Sequence, residues 1–262
     1  MQLVIDNICK NFTNRKGQTL PVLENITLTV NEQEFIAIVG PSGCGKSTLL
    51  NLTAGLLEPS SGKISFKGVR PGYQPHMSIV FQETGLFPWR SVYDNVAFGL
   101  EAKKIAEDEK KQRVQKYIEL VGLKGFENAY PHQLSGGMRQ RAGIARAMSI
   151  EPDLLLMDEP FSALDAQTRT IMQEELVTLW EKTRLTTLYV THNIQEAVML
   201  ADRIVLLSRR PGKISQIITI DVPRAERSLP QHTEAIAGFT RTIWEHISKD
   251  ARAALMEVEN NE

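Results

Sequence analysis

The sequence of 262 residues lacks the features of several protein classes. It has only two cysteines, Cys9 and Cys44, which predicts free thiols in a reducing compartment rather than a disulfide scaffold. It has no run of about 18 apolar residues, so no membrane span is predicted. Its formal net charge is −1, whereas a general nucleic-acid binder usually carries a basic excess. We therefore expect no nucleic-acid partner.

The N-terminal residues also lack a secretory signal, because no basic segment is followed by an apolar core. These absences together predict a cytoplasmic protein, in which any membrane role comes through partners. Hydrophobic residues make up 42% of the chain and charged residues 23%, which is typical of a globular protein. The length is enough for one large core, or for one core with an inserted lobe.

Short apolar runs separated by helical patterns predict a parallel α/β sheet. The run at residues 34–39 is almost continuously apolar, as expected for a strand buried on both faces. A glycine-rich loop follows it directly, and a helix is predicted from about 47 to 57. The predicted strands are residues 3–8, 22–30, 34–39, 153–157, 186–190 and 203–208.

The middle of the chain is predicted to be mainly helical, from about 92 to 148, which indicates a helical lobe of about residues 83–152 inserted into the α/β core. Residues 101–121 form a charged amphipathic stretch, with one apolar stripe at Val114, Tyr117, Ile118 and Val121. The tail, from about 215 to 262, carries a second helical stripe at Ile236, Phe239, Ile243 and Ile247. We expect that stripe to dock onto the parent domain, with a regulatory or partner contact as the alternative.

The glycine-rich loop fits the phosphate-binding pattern G-x-x-x-x-G-K-[ST] and lies between a strand and a helix, as that motif requires. Its glycines let backbone N–H groups surround phosphate oxygens, and the next helix adds its positive N-terminal end. Lys46 reaches the β- and γ-phosphates, and the Ser47 hydroxyl is a Mg²⁺ ligand. The residues predicted to bind nucleotide here are Gly40, Pro41, Ser42, Gly43, Cys44, Gly45, Lys46, Ser47 and Thr48. Because Cys44 precedes a helix and lies near Lys46, we hypothesise a favoured thiolate that an alkylating reagent attacks and ATP protects, with a small space-filling residue as the alternative.

An apolar run ends in two acids, Asp158 and Glu159. Ligands bind at the carboxyl ends of strands in open α/β sheets. We predict that Asp158 holds Mg²⁺, usually through water, and that Glu159 is the base that polarises the attacking water. An exposed turn after a core strand is the alternative for this pair taken alone.

Leu134-Ser135-Gly136-Gly137-Met138 resembles the signature motif L-S-G-G-Q of ABC ATPases, with Met138 in place of the usual glutamine. The other motifs of that family follow in the right order over about residues 1–210. The resemblance implies an α/β fold: a P-loop NTPase (RecA-like) core with an antiparallel β subdomain and an inserted α-helical subdomain. It identifies Phe12 as the adenine-stacking aromatic, Gln82 as the Q-loop glutamine, which contacts Mg²⁺ and the reacting groups, Asp165 as part of the D-loop, and His192 as the switch histidine.

The resemblance also implies a two-subunit mechanism. ATP on Lys46 and Ser47 of one copy is touched by Ser135, Gly136 and Gly137 of a second copy or of a paralogous ATPase subunit. Such pairs drive two membrane-spanning permease subunits at the cytoplasmic face of the cell membrane, and an extracytoplasmic solute-binding protein acts with them indirectly.

The segment Leu86-Phe87-Pro88-Trp89-Arg90 and the run 208–214 resemble the importer branch for nitrate, aliphatic sulfonates and taurine. Importers of thiamine-precursor pyrimidines have similar sequences, so that substrate class stays open. The region after Gln82 is where the family receives a helix of the membrane subunit, although Phe87 and Trp89 could also simply pack the lobe. A non-transport ABC ATPase is the second function considered, and an unrelated P-loop kinase or GTPase is the third.

Overall fold

The structure is a computed structural model that describes the backbone of residues 1–14 and 16–259, and the side chains of residues 1–14 and 16–248. The chain divides into two compact units. The first joins Met1–Tyr73 with the chain from Thr186 onward, and the second spans Gln74–Leu185.

The first unit contains an antiparallel sheet of three strands. Its strands are β1 (Gln2–Thr13), β2 (Thr19–Val30) and β4 (Ser61–Lys67), with β1 in the centre. One face is closely packed, since Leu3, Ile5 and Ile8 of β1 are completely buried. The antiparallel β subdomain is therefore present, and β1 and β2 both extend beyond the predicted runs.

The first unit also contains parallel strands that follow the apolar runs of the sequence. β3 (Phe35–Val39) lies between β7 (Thr186–Val190) and β8 (Arg203–Leu207) and is parallel to both. Every residue of β3 is buried, as predicted from its unbroken apolar sequence. β9 (Ile214–Thr219) pairs antiparallel with β8 and was not predicted.

Three helices complete the first unit: α1 (Lys46–Thr53), α6 (Ile194–Leu200) and α7 (Thr233–Glu259). α1 ends about four residues earlier than predicted, and Gly55 adopts a φ of 71° just beyond it. In α7, Ile243 is completely buried and the helix contacts α6, so the predicted stripe docks onto its own unit.

Two buried arginines of the tail bind the end of α6. Arg227 donates to the carbonyl oxygens of Val198 and Ala201, each at 2.8 Å. Arg224 donates to the carbonyl oxygen of Leu200 at 2.5 Å. The last carbonyls of a helix have no partner within it, so these two side chains supply the missing donors.

The second unit combines two parallel strands with four helices. β5 (Met77–Val80) pairs with β6 (Leu154–Asp158), and β5 was not predicted. The helices are α2 (Val92–Ala102), α3 (Glu107–Leu120), α4 (Gly136–Ser149) and α5 (Ala166–Thr183). The predicted stretch 101–121 is two helices rather than one, because the chain turns between them through Lys104, whose φ is 53°. Val114, Tyr117 and Ile118 are buried as predicted.

Candidate nucleotide-binding site

The glycine-rich loop connects β3 to α1 in the first unit, as the motif requires. Gly45 has a φ of 106°, and a β-carbon there would lie 2.6 Å from Cδ2 of Leu23. Both the backbone conformation and the space therefore demand glycine at this position. The Lys46 side chain is buried, and its ammonium donates to the carbonyl oxygens of Gly40 and Pro41 at 2.9 and 3.1 Å. The loop thus wraps around its own lysine.

A segment far away in sequence supports this loop. Gly212 lies so close that a β-carbon on it would be 2.2 Å from the carbonyl oxygen of Cys44. Backbone hydrogen bonds from Gly212 to Val22 and from Glu24 to Gly212 hold the segment in place. In the sequence, residues 208–214 indicate only a subfamily resemblance, and this packing role was not predicted.

The hypothesis of a reactive Cys44 thiolate is wrong. Cys44 is buried, and its desolvation raises the pKa of the thiol despite the nearby Lys46 charge. A buried thiol with a raised pKa is a poor nucleophile at neutral pH. Its small side chain fills space beneath the loop.

His192 belongs to the same edge of the first unit as the phosphate loop. β3 and β7 are parallel neighbours, and Ile38 pairs with Val190. The loop that begins at Gly40 and the turn that contains His192 therefore both leave the carboxyl ends of adjacent strands. This is where ligands bind in open α/β sheets. His192 is exposed, whereas Thr191 before it is buried.

Phe12 lies near the end of β1 in the first unit and is 40% exposed. The Lys10 ammonium lies 5.0 Å from the centroid of its ring, within the range of a cation–π contact. Phe12 is thus partly exposed, and its assignment as the adenine-stacking aromatic stays a prediction.

In the second unit, Gln82, Asp158 and Glu159 lie at or just beyond the carboxyl ends of β5 and β6. β5 and β6 run parallel and Val80 pairs with Met157, so Gln82 follows one strand where Asp158 ends the other. Glu159 has a φ of 44°, an uncommon conformation for a residue other than glycine. Its carbonyl oxygen accepts hydrogen bonds from the backbone N–H and the hydroxyl of Ser162. This turn fixes the backbone of the predicted base.

The signature residues form the N-terminus of α4. The Ser135 hydroxyl accepts the N–H of Met138 at 3.2 Å and caps the helix. Asp165 caps α5 in the same way by accepting the N–H of Thr168 at 3.0 Å. That hydrogen bond lowers the pKa of the Asp165 carboxyl. α4 contacts α5. Gly136 is exposed and Gly137 buried.

The predicted partner segment is an aromatic cluster in the second unit, formed by Phe87, Trp89 and Phe98. The ring of Phe87 lies 4.7 Å from that of Phe98 and 5.6 Å from that of Trp89, centroid to centroid. Trp89 is 72% exposed. The guanidinium of Arg90 lies 5.7 and 5.3 Å from the ring centroids of Phe87 and Phe98. The cluster is thus both apolar and cationic at the surface.

Two residues that sequence reasoning missed hold this cluster in place. The buried Asn95 side chain accepts the N–H of Phe87, and its two amide hydrogens are shared among the carbonyl oxygens of Phe87, Arg90 and Ser91. Arg146 donates to the carbonyl oxygens of Thr84 and Gly85. The roles of Asn95 and Arg146 could not be predicted, because a single sequence does not show which backbone groups fold around a polar side chain.

A groove of about 480 Å³ in the second unit lies elsewhere, between the end of α3, α4 and α5. None of the predicted site residues lines it. Among the described residues, no helix is both long and apolar enough to cross a membrane.

A family comparison agrees with this geometry. The sequence model described as "ABC transporter" matches residues 23–162, which is just over half of the chain and includes the phosphate loop, the signature turn and Asp158. The chain belongs to the ABC transporter family. The sequence-based identification of the family is therefore confirmed.

Several curated relatives resemble the chain over most of its length. An uncharacterized ABC transporter ATP-binding protein of Methanocaldococcus jannaschii is 49% identical over 86% of this chain and 84% of its own. The taurine import ATP-binding protein of Rhizobium johnstonii is 45% identical over 96% and 99%. The nitrate import ATP-binding protein of a Synechocystis strain is 43% identical over 90% and 89%.

A solved structure supports the fold. A dimeric post-hydrolysis ATP-binding cassette bound to ADP and Pi is 29% identical, with a TM-score of 0.72, and covers 84% of this chain and 100% of its own. The predicted fold class, an α/β ATPase cassette with parallel and antiparallel sheets, is confirmed.

Proposed function

We propose that the chain is the ATP-binding and ATP-hydrolysing subunit of an ABC importer, and that it energises uptake of a small anionic solute such as taurine, an aliphatic sulfonate or nitrate. The observation that carries the nucleotide part is the glycine-rich loop closed around Lys46 at the start of α1. The similarity to taurine and nitrate import proteins supports the importer part. Only the similarity to import proteins supports the substrate class, since the nucleotide-binding residues are not expected to contact the transported solute.

Each element of the site has a distinct role in this proposal. The loop N–H groups and Lys46 bind the β- and γ-phosphates, and Phe12 stacks on the adenine. Glu159 accepts a proton from the attacking water, which typically contributes about 10²–10⁴-fold to the rate. The fixed turn at Glu159 supports this role, because a base must be held in place to act. His192 contacts the γ-phosphate.

The side chains assigned to Mg²⁺ suit that ion. Ser47, Gln82 and Asp158 offer hydroxyl, amide and carboxylate oxygens, the ligand atoms that Mg²⁺ prefers. No group of three or more His, Cys, Asp or Glu side chains able to hold a metal occurs in the part of the chain that the structure describes. This fits an ion bound largely through nucleotide phosphates and water rather than a protein cage. When bound, Mg²⁺ neutralises phosphate charge.

ATP binding is proposed to join two copies. In that complex Ser135, Gly136 and Gly137 of one copy contact the nucleotide on the loop of the other, and Asp165 lies at the same interface. The N-terminus of α4, which has no acidic residue in its first turn, is suited to a phosphate anion. The related post-hydrolysis cassette, which is dimeric with ADP and Pi bound, supports this arrangement.

The aromatic cluster of Phe87, Trp89 and Phe98 is proposed to receive a helix of a membrane-spanning permease subunit. An exposed tryptophan beside an arginine is typical of an interface anchor. Through that contact the chain would lie at the cytoplasmic face of the membrane, and a solute-binding protein would act on the other side.

The experiment that tests the enzymatic part measures ATP turnover and ATP affinity of the purified chain. We expect Glu159→Gln to retain ATP binding while turnover falls by about 10²–10⁴-fold, the usual contribution of a general base. Glu174→Gln is the matched control, because Glu174 is an exposed glutamate of the same unit, and it should keep full turnover. Near-normal turnover of Glu159→Gln would overturn the assignment of the base.

A further inference from the structure

We propose that Thr191 is a positioning residue for His192, and that the buried Glu196 carboxyl group holds the Thr191 hydroxyl in place. This inference rests on the proposed hydrolysis and adds a further residue to the same site. All the residues concerned lie in the first unit, between the end of β7 and the first turn of α6.

The Thr191 hydroxyl ties together both sides of the histidine. It donates to Oε2 of Glu196 at 2.6 Å and accepts the backbone N–H of Asn193 at 2.9 Å. Thr191 and Asn193 are the immediate neighbours of His192 in sequence. The Thr191 hydroxyl therefore links the residues before and after His192 to each other and connects both to Glu196.

The start of α6 is fixed by the same group of residues. The Asn193 side-chain oxygen accepts the N–H groups of Gln195 and Glu196 at 2.9 and 3.2 Å, so Asn193 is the N-cap of the helix. Glu196 in turn lies one helical turn beyond the cap, with its carboxyl group directed back to Thr191. The turn at residues 191–193 and the first turn of α6 are thus joined by hydrogen bonds in both directions.

Burial makes this arrangement rigid. Thr191 is 2% exposed and Glu196 is 3% exposed, whereas His192 is exposed. Hydrogen bonds in a dry environment are stronger than in water, and breaking one leaves a costly unpaired group. The exposed His192 is therefore carried by a backbone that is anchored on both sides.

The carboxyl group has a second donor that lies outside the histidine turn, which provides a matched control. The hydroxyl of Tyr189, a completely buried residue, donates to the same Oε2 atom at 3.1 Å. Burying a carboxyl group costs free energy that an apolar side chain would not. If the two hydroxyl contacts of Glu196 served stability alone, loss of either hydroxyl would have similar consequences. If the Thr191 hydroxyl positions His192, only its loss should lower kcat.

The test compares Thr191→Val with Tyr189→Phe in the purified full-length chain. We expect Thr191→Val to lower kcat about tenfold or more with the KM for ATP within about threefold, because outer residues that orient a reacting group typically contribute 10–100-fold. Tyr189→Phe should stay within about twofold of the parent in both constants, and Thr191→Ser should restore kcat. If Thr191→Val does not fold, Thr191→Cys replaces it, since a thiol is a weak hydrogen-bonding group. Equal losses of kcat in Thr191→Val and Tyr189→Phe, or an unchanged kcat in Thr191→Val, would overturn the inference.

A second readout does not depend on hydrolysis. NMR of the histidine rings, with the His192 signals assigned by their absence from His192→Gln, should show a shifted or broadened His192 signal in Thr191→Val and an unchanged one in Tyr189→Phe. A parent chain that binds ATP but never hydrolyses it would refute the proposed enzymatic function and leave this comparison intact. An unaltered His192 signal in Thr191→Val would refute the positioning role.

Discussion

Gly212 packs against the carbonyl of Cys44 so closely that a β-carbon on Gly212 would lie 2.2 Å from that oxygen. The contact joins a segment near β9 to the middle of the phosphate loop, 168 residues earlier in the chain. Oxygen and carbon atoms do not approach this closely without a covalent bond, so the backbone must move if any side chain is added. The shape of the loop therefore depends on a glycine outside the motif.

Gly212→Ala is expected to weaken ATP binding about tenfold and to lower the free energy of unfolding by about 1–3 kcal/mol, since overpacking typically costs that much. Gly238→Ala is the control, because a β-carbon on that glycine of α7 would meet nothing within 4 Å. Fluorescent nucleotide titration and urea denaturation measure the two effects. Unchanged ATP affinity in Gly212→Ala would show that the loop does not depend on this contact.

The stabilising contribution of the buried Cys44 thiol to the folded chain is expected to be lost as the solution becomes alkaline. Burial raises its pKa in the folded chain, whereas in the unfolded chain the thiol titrates near about 8.5. The favourable contribution of the buried neutral thiol is thus complete below about pH 8.5 and is lost as the pH rises toward the folded pKa. Relative to Cys44→Ala, the parent should lose unfolding free energy as the pH rises above about 8.5.

Denaturant titrations of the parent and of Cys44→Ala, below and above about pH 8.5, measure whether the parent loses unfolding free energy as the pH rises. A parallel measurement uses iodoacetamide on Cys9→Ser, in which Cys44 is the remaining cysteine, and should find alkylation at about pH 7.5 far slower in the folded chain than in denaturant. Fast alkylation of the folded protein would restore the hypothesis of a reactive thiolate.

Asn95→Leu is expected to destabilise the second unit by about 1–3 kcal/mol for each backbone group left buried and unpaired, because the substitution removes their partner at nearly constant volume. Asn128→Ala, at an exposed asparagine of the same unit, should change stability by less than about 0.5 kcal/mol. Thermal unfolding of both variants measures the difference. Equal melting temperatures would mean that Asn95 does not hold the aromatic cluster.

Trp89→Ala is expected to leave folding and basal ATP turnover intact while reducing association with the membrane partner at least about tenfold, since an interface tryptophan often contributes about 2 kcal/mol or more. Trp244→Ala is a matched control, because Trp244 is 61% exposed on α7. Affinity purification from detergent-solubilised membranes, with mass spectrometry of the captured membrane-spanning proteins, gives the readout. Equal capture by both variants would remove the docking role from the aromatic cluster.

Residues that share a sequence motif could be predicted, and residues that act through distant packing could not. Lys46, Asp158 and His192 follow predicted strands at recognisable spacings. In the structure Asp158 ends β6, His192 lies just after β7, and Lys46 begins the helix after β3. Asn95 and Glu196 lie in helices whose sequence pattern does not distinguish them from other polar residues. Their importance depends on which backbone groups fold around them.

The helices and strands also differ in how well the sequence predicts them. β3 was predictable because continuous apolar runs are typical of strands buried on both faces. The short β5 and the partly exposed β9 offer weak patterns, and the break between α2 and α3 depends on one positive φ at Lys104. For Cys44, proximity to Lys46 favoured a thiolate, but desolvation is the larger effect and reverses the direction of the pKa shift.

The central claim, that two copies enclose ATP between the Lys46 loop of one and the Ser135 turn of the other, is tested most directly by sedimentation of the slowly hydrolysing Glu159→Gln chain. With ATP and Mg²⁺, its mass should rise from 29.4 kDa to twice that value, and Ser135→Arg added to the same chain should keep it monomeric while ATP still binds. A mass that does not respond to ATP, or a dimer that forms equally well with Ser135→Arg, would contradict the account.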